Sequence, residues 1–525
     1  MISRKDAKAQ RKNVKTRLTL FLPIPSLRLC AFARDLLLLF PLLAPSFVSA
    51  APVESKDIDV IVRDAIKAWQ APGVAVAIVK DGEVVYMNGH GVRRLGKKDP
   101  VTPDTLFPIA SCTKGFTVAA MGLLIDEHKL DWDDRVRKHV SSFHLSDPLA
   151  DGDVRLRDLV CHRTGLRGHD FLWYRAPWDQ EEAIRKIGLV KLDKPFRTAL
   201  QYQSIMFMVA GRAVESASKS KWSDFVKRRF LDPLEMSGTC FTTADAEKAK
   251  DIASPHGRDE NGEVVVVSRY VEEIPNAASS IHSTARDLAQ WVKFQLSDGT
   301  WKGKRLLSAK NLEEIHTPQI ALRMEGSVKA ANPATHLMSY GMAWLIQDYK
   351  GHNVISHAGA IDGFRTQLFL VPDAKLGIVL LNNLQNTRMN LALGNALIDQ
   401  LLRLPKQDWN AYLLEQVKKE QAAAIERQKE REKKRQPDTR LSKDLTAYAG
   451  EYKEPAYGVC RVVLEDGKLV WRWSTFTCPL EHFENDTFLG RHATLGVVYF
   501  TFHFGSDGTM LNVEEPLDVK FKKTE

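Results

Sequence analysis

Residues 105–117 read Thr-Leu-Phe-Pro-Ile-Ala-Ser-Cys-Thr-Lys-Gly-Phe-Thr, which sets Ser111 and Lys114 three positions apart at the head of an apolar run. Phe116, Val118, Ala119, Met121, Leu123 and Leu124 follow at helical spacing and predict a helix over about 112–130. On a helix, positions i and i+3 share a face, so the amine can reach the hydroxyl. Serine is a weak nucleophile at neutral pH and needs an adjacent base. At a helix start it also sits beside unpaired backbone N–H groups and the positive end of the dipole, which favour an oxyanion. The same pair taken alone fits a helix cap followed by a solvated lysine, so its surroundings decide.

Upstream, Pro72 to Val92 reads as a hairpin: the apolar run Val74–Val79, the turn Asp81-Gly82, and a return over Glu83–Met87. Downstream, residues 200–340 read as mostly helical or irregular, with Thr284 and Asp287 marking a helix N-cap. Strand signals return at Met342–Ile346, Asn353–Ser356, Thr366–Val371 and Leu376–Leu381. Strands at both ends of a helical middle predict an α+β domain over residues 52–405. It is expected to hold one antiparallel sheet closed by both ends, flanked by helices, with an inserted helical lobe. Residues 406–443 read as a charged linker or exposed helix stopped by Pro437. Residues 444–525 change to short aromatic-rich strands with Asp466-Gly467 and Ser506-Asp507-Gly508 turns, which predicts a small all-β barrel.

The 105–117 segment, its continuation to Leu130-Asp131, and Leu156-Arg157-Asp158-Leu159-Val160-Cys161-His162-Arg163-Thr164-Gly165-Leu166 appear in an order that resembles the serine β-lactamase superfamily. The resemblance is to its class C β-lactamase and penicillin-binding-protein branch and covers about residues 60–400. It implies a serine hydrolase with Ser111 as the acylated nucleophile. The family's Tyr-x-Asn element is matched by Tyr202-Gln203-Ser204, which keeps the phenol and replaces the asparagine. Its Lys-Thr-Gly element is matched by His357-Ala358-Gly359, followed by Ala360. The resemblance implies catalytic roles for Ser111, Lys114, Tyr202 and His357, an oxyanion hole from the backbone N–H groups of Ser111 and Ala360, and substrate contacts at Ser204 and Gly359. Gly359 is read as letting substrate approach the strand.

The departures bear on substrate. Without the lysine, a substrate carboxylate loses its cation, and without the asparagine, a substrate amide loses its partner. Turnover of β-lactams and of ordinary cell-wall peptides is therefore in doubt, and neutral esters or amides gain weight. Lys114 or Tyr202 takes the serine proton. With one lysine and a histidine in the cluster, a neutral, desolvated Lys114 is the favoured base and Tyr202 the relay. His162 reads as structural; His169, Asp362 and Arg365 are possible pocket residues. Trp173 and Tyr174 fit core packing better than a pocket wall.

The chain of 525 residues carries a net charge of +9. Residues 1–50 hold nine basic against two acidic side chains and so supply +7 of it. The near-balanced remainder gives no footprint for nucleic acid. A basic stretch, the apolar run Leu36–Val48 and the small residues Ser49, Ala50 and Ala51 read as a signal peptide over residues 1–50. The run is shorter than the ~20 residues of a spanning helix, so no stable membrane span is expected after cleavage. A retained anchor is the competing reading. The expected location is periplasmic or secreted. Of six cysteines, Cys30 leaves with the signal, and Cys112, Cys161, Cys240, Cys460 and Cys478 read as free buried thiols, with a Cys460–Cys478 pairing as the alternative. No metal or organic cofactor is called for. The expected partner is a small-molecule or peptide acyl substrate, with a homo-oligomer possible. The leading function is ester or amide hydrolysis; the rivals are a peptidase on D-residue or cell-wall peptides and a catalytically silent binding module.

Overall fold

The structure, a computed structural model, describes residues 54–524; the signal-peptide reading and Cys30 fall outside these. Helix α1 (Ser55–Trp69) leads into β1 (Gly73–Lys80) and β2 (Glu83–Gly91). The remaining strands of the sheet come late in the domain: β3 (Ile320–Leu322), β4 (Met338–Tyr340), β5 (Leu345–Tyr349), β6 (His352–Ile361), β7 (Phe364–Val371) and β8 (Leu376–Asn382). They form one antiparallel sheet in the order β2-β1-β8-β7-β6-β5-β4-β3. β1 pairs β8 from Val74↔Asn382 to Lys80↔Leu376, so the two ends of the domain meet in the middle of the sheet.

β1 and β8 are buried on both faces, which explains their unbroken apolar runs. Val74, Val76, Ile78, Ile378 and Leu380 face a core made with α1, with α5 (Met389–Leu401) and with the start of α6 (Trp409–Lys434). Ala75, Ala77, Val379 and Leu381 face the opposite core, built on α2 (Thr113–Asp126), α3 (Ile205–Ser218) and α4 (Ala285–Gln295). Every residue of α2 from Thr113 to Leu124 is buried, so the serine-bearing helix runs through the centre of the domain. Thr284 caps α4 by accepting from the Asp287 N–H at 3.1 Å.

Two strand expectations are corrected. Met342-Ala343-Trp344 is a turn: Ala343 takes φ +63°, and its N–H bonds the Val160 carbonyl. The helical middle also carries the short edge strands β3 and β4, whose irregular composition gave no alternating signal.

The barrel is closed, with eight strands running in sequence from Gly450 to Lys523 and closure by Tyr452↔Lys523 and Lys453↔Lys522. Tyr448, Tyr452, Trp471, Phe488, Phe500 and Phe521 fill its interior. The charged stretch before it is α6. Its last turns dock on the barrel through Arg431, which pairs with Glu514 at 2.7 Å and lies over the Tyr499 ring. All five described cysteines are free; Cys240 is only half-buried. The strand Lys468–Trp473 lies between those of Cys460 and Cys478.

Candidate active site

The nucleophile turn is shaped before α2 begins. Ala110 adopts φ +45°, a conformation that costs a Cβ-bearing residue about 1–3 kcal/mol. It opens the 3₁₀ turn Ala110–Cys112 that delivers Ser111, partly exposed, to the domain surface. Lys114 follows one turn later, fully buried. Its Nζ lies 2.9 Å from Ser111 Oγ, 3.0 Å from the Ala278 carbonyl and 3.5 Å from Ser204 Oγ. No carboxylate lies within 4 Å of it among the described residues. Burial without a counter-ion pushes the Lys114 ammonium down to about 7, against a weaker upward pull from Asp170. The cluster therefore holds an amine that is substantially neutral near pH 7 and touches the serine hydroxyl.

The Ala278 carbonyl is aimed by its own loop. Asn276 Oδ1 accepts from the Ala278 N–H at 2.9 Å, and Thr117 Oγ1 on α2 donates to the Ala277 carbonyl at 2.6 Å.

Tyr202 lies just before α3 and hydrogen-bonds Ser111. Its ring packs on His162 at 4.1 Å, and Lys114 Nζ sits 5.1 Å from its centroid. Burial pushes the phenol pKa above its ordinary value, and the Ser111 hydrogen bond opposes this. About a third of the residue, 37%, stays open to the cleft. The resting tyrosine is thus a phenol, which suits a relay rather than a resident base. His162 is more than filler: its Nδ1 accepts from the Gln203 N–H at 3.1 Å, fixing the ring that supports Tyr202.

His357 lies within β6, not after a strand. Its Nδ1 donates to the Ala358 carbonyl at 2.7 Å, so Nε2 is the acceptor and takes the Tyr340 hydroxyl at 2.9 Å. Burial, reinforced by the nearby Lys114 charge, pushes its pKa down to about 3. The catalytic role expected for His357 gives way to a positioning one: it is neutral, and both nitrogens are committed. Ser204 is similarly redirected, because it is 4% exposed and turned toward Lys114.

Gly359 also changes meaning. A Cβ there would stand 2.1 Å from the Ile109 carbonyl oxygen, so what approaches the strand is the nucleophile turn, not substrate. Gly359→Ala is expected to force the turn and strand apart. We predict a loss of about 1–3 kcal/mol, seen as a lower thermal midpoint, together with a fall in kcat.

Ala360 follows from register. β6 pairs β7 from Ile355↔Leu370 to Ile361↔Phe364, while β5 covers β6 only as far as Ser356. Ser356 bonds β5 and Gly359 bonds β7, so by antiparallel alternation the N–H groups of Ala358 and Ala360 point to the uncovered edge. That edge borders the Ser111 turn.

This geometry meets its parallel in known proteins. Residues 58–403 match the family described as Beta-lactamase.

This chain belongs to the beta-lactamase family.

Residues 434–525 match a second family, described only as a domain of unknown function. Among curated relatives, "Unguisins hydrolase ungD'" of Aspergillus campestris is 27% identical over 86% of this chain and 88% of its own length. "Protein flp" of Staphylococcus aureus is 25% identical over 63% of each chain. Among solved structures, the octameric penicillin-binding protein homologue from Pyrococcus abyssi covers 90% of this chain and all of its own, at 20% identity and TM-score 0.60. A D-stereospecific amidohydrolase from Streptomyces covers 67% of this chain and 100% of its own, at 19% identity and TM-score 0.53. These structural likenesses speak for the fold.

In this beta-lactamase-family domain, then, the structure brings together Ser111, Lys114, Tyr202, Ser204 and the β6 edge. It adds Tyr340 and the Ala278 carbonyl, which no motif marks: one is a lone tyrosine in a short edge strand, the other a backbone group. Asp170 is exposed and close enough for its charge to act on both Lys114 and Tyr202. Its Oδ1 accepts from the Trp173 indole at 2.8 Å. His169 is drawn off to Tyr457 of the barrel at 2.9 Å.

Proposed function

We propose that this protein is an exported serine hydrolase that cleaves an amide or ester through an acyl-enzyme on Ser111. The observation that carries the reading is the fully buried, carboxylate-free Lys114 amine 2.9 Å from the Ser111 hydroxyl. Ser111 Oγ attacks the acyl carbon as its proton passes to the Lys114 amine. The N–H groups of Ser111 and Ala360 receive the oxyanion. Tyr202 hands a proton from Lys114 to the departing nitrogen or oxygen, the C–N or C–O bond breaks, and an ester to Ser111 remains. Water repeats the sequence, giving its proton to the cluster and restoring Ser111 as the acid leaves.

A neutral His357 offers a substrate carboxylate no cation, which supports neutral esters and amides over β-lactams. A second reading, a peptidase acting on D-residue peptides, draws on Asp170. Among the described residues no cation lies within 4 Å of its carboxylate, so it is free to take a substrate ammonium. The names of relatives and neighbours, which include an amidohydrolase and an unguisins hydrolase, lean the same way. The basic-then-apolar start of the chain supports export. An octameric neighbour makes a homo-oligomer reasonable, and light scattering would test it.

A substrate panel separates the readings: p-nitrophenyl acetate and butyrate, a D-alanyl anilide and a chromogenic cephalosporin. The expected result is turnover of the esters or the anilide and none of the cephalosporin. Hydrolysis of none of them, with no acyl adduct by mass spectrometry, would return the domain to a silent binding module.

A further inference from the structure

The C-terminal barrel does not hang free of the hydrolase domain. It grips the segment from Arg167 to Trp178, the same segment that carries Asp170 to the catalytic cluster. Arg167 pairs with Asp518 at 2.7 Å, and His169 Nδ1 bonds the Tyr457 hydroxyl at 2.9 Å. Phe171 packs its ring on Phe476 at 5.6 Å, and the Ser474 hydroxyl donates to the Arg175 carbonyl.

The other side of that segment holds the strand edge at which the oxyanion is expected. The Tyr174 hydroxyl contacts both carboxylate oxygens of Asp362, at 2.8 and 2.7 Å, and Arg175 reaches the same carboxylate at 2.8 Å. Asp362 forms the tip of the β6–β7 hairpin, two residues beyond Ala360. A continuous chain of contacts thus runs from barrel to segment to hairpin.

Between them lies a cavity of about 480 Å³, bordered by Asp170, Trp173 and Ala360 on the hydrolase side and by Ala493 and Thr494 on the barrel side. That volume is within the range of small-ligand pockets. The Ala493-Thr494 turn joins two barrel strands and is exposed, so it is free to act as a wall without serving the barrel core. Ser268, Arg365, Gln385 and Asn386 also border the cavity. Amide, hydroxyl and guanidinium groups suit a peptide-like extension and disfavour an aliphatic chain, whose burial would strand them.

We propose that the barrel is a wall of the substrate cleft, and that its Ala493-Thr494 turn limits how a peptide-like substrate extends beyond the scissile bond. The inference rests on the acyl-enzyme reading of Ser111. It gives the barrel a specificity role at the site itself, where the alternative is a separate recruiting module.

The test fills the cavity from the barrel side, in the full chain, with Ala493→Trp and separately Thr494→Trp. Each is compared with wild type on a minimal and an extended probe: an ethyl fluorophosphonate and a fluorophosphonate carrying a dipeptide. Both turn residues are exposed, and an unchanged thermal midpoint will show that the fold is kept. The expected result is a fall of about tenfold or more in the labelling rate of the extended probe, with the minimal probe within about twofold. Equal effects on both probes, or none on either, in both variants would overturn the wall. Absence of labelling in wild type would instead overturn the Ser111 reading, and the wall with it.

Discussion

Ser111→Ala is expected to lower kcat on any substrate of this protein by roughly 10⁴-fold or more, the scale seen when an acyl-enzyme nucleophile is removed. The loss belongs to the chemistry and not to the fold. Ser111 is only partly buried, and its hydroxyl is one of three oxygen neighbours of Lys114; the Ala278 carbonyl and Ser204 remain in the variant. The thermal midpoint should therefore move little. The same variant should lose labelling by a fluorophosphonate, with the unlabelled mass unchanged in a mass spectrum. A Ser111→Ala protein that turns over at the wild-type rate would remove the nucleophile and the whole acyl-enzyme route with it.

The parts of the site written in local spacing were legible. The three-residue step from Ser111 to Lys114 becomes a contact because the helix it implies forms, and the hairpin at Pro72–Val92 supplies β1 and β2 as its turn residues require. What local spacing cannot encode is the direction in which a side chain spends its hydrogen bonds. His357 matches a motif position, yet its nitrogens go to Ala358 and to Tyr340, seventeen residues upstream in an edge strand too short to announce itself. Gly359 matches equally well, but the atom it makes room for belongs to Ile109, some 250 positions away. Ser204 is the same case: the substitution was visible, whereas its burial against Lys114 was a fact of packing.

The barrel illustrates the limit at a larger scale. Its alternating aromatics and Asp-Gly turns give the strands away, because the period of two is local. Its docking on the 167–178 segment rests on pairs such as His169–Tyr457 and Arg167–Asp518, separated by hundreds of residues and drawn from side chains that are ordinary on any surface.

Lys114→Met should separate function from stability, and the two effects should have opposite signs. On activity, removing the amine is expected to lower kcat by roughly 10²–10⁴-fold, the range of a positioned general base. In wild type the base must be neutral, so kcat/KM should rise with pH through an acid limb near 7, the value to which burial lowers this lysine. The variant should lack that limb. On stability, the unfolded chain holds the lysine proton up to its ordinary value near 10.5, whereas the folded chain releases it near 7. Between these values the unfolded state binds more protons, so the wild type gains stability as pH rises, and the full cost is present below pH 7. That cost is roughly 3–6 kcal/mol. Methionine fills a similar space without a charge to desolvate. The variant should therefore melt several degrees above wild type at pH 6, with the gap closing toward pH 10. A thermal scan of both proteins across this range checks it. A variant that melts lower at pH 6 would mean that Lys114 is held charged, and a charged Lys114 cannot take the proton from Ser111.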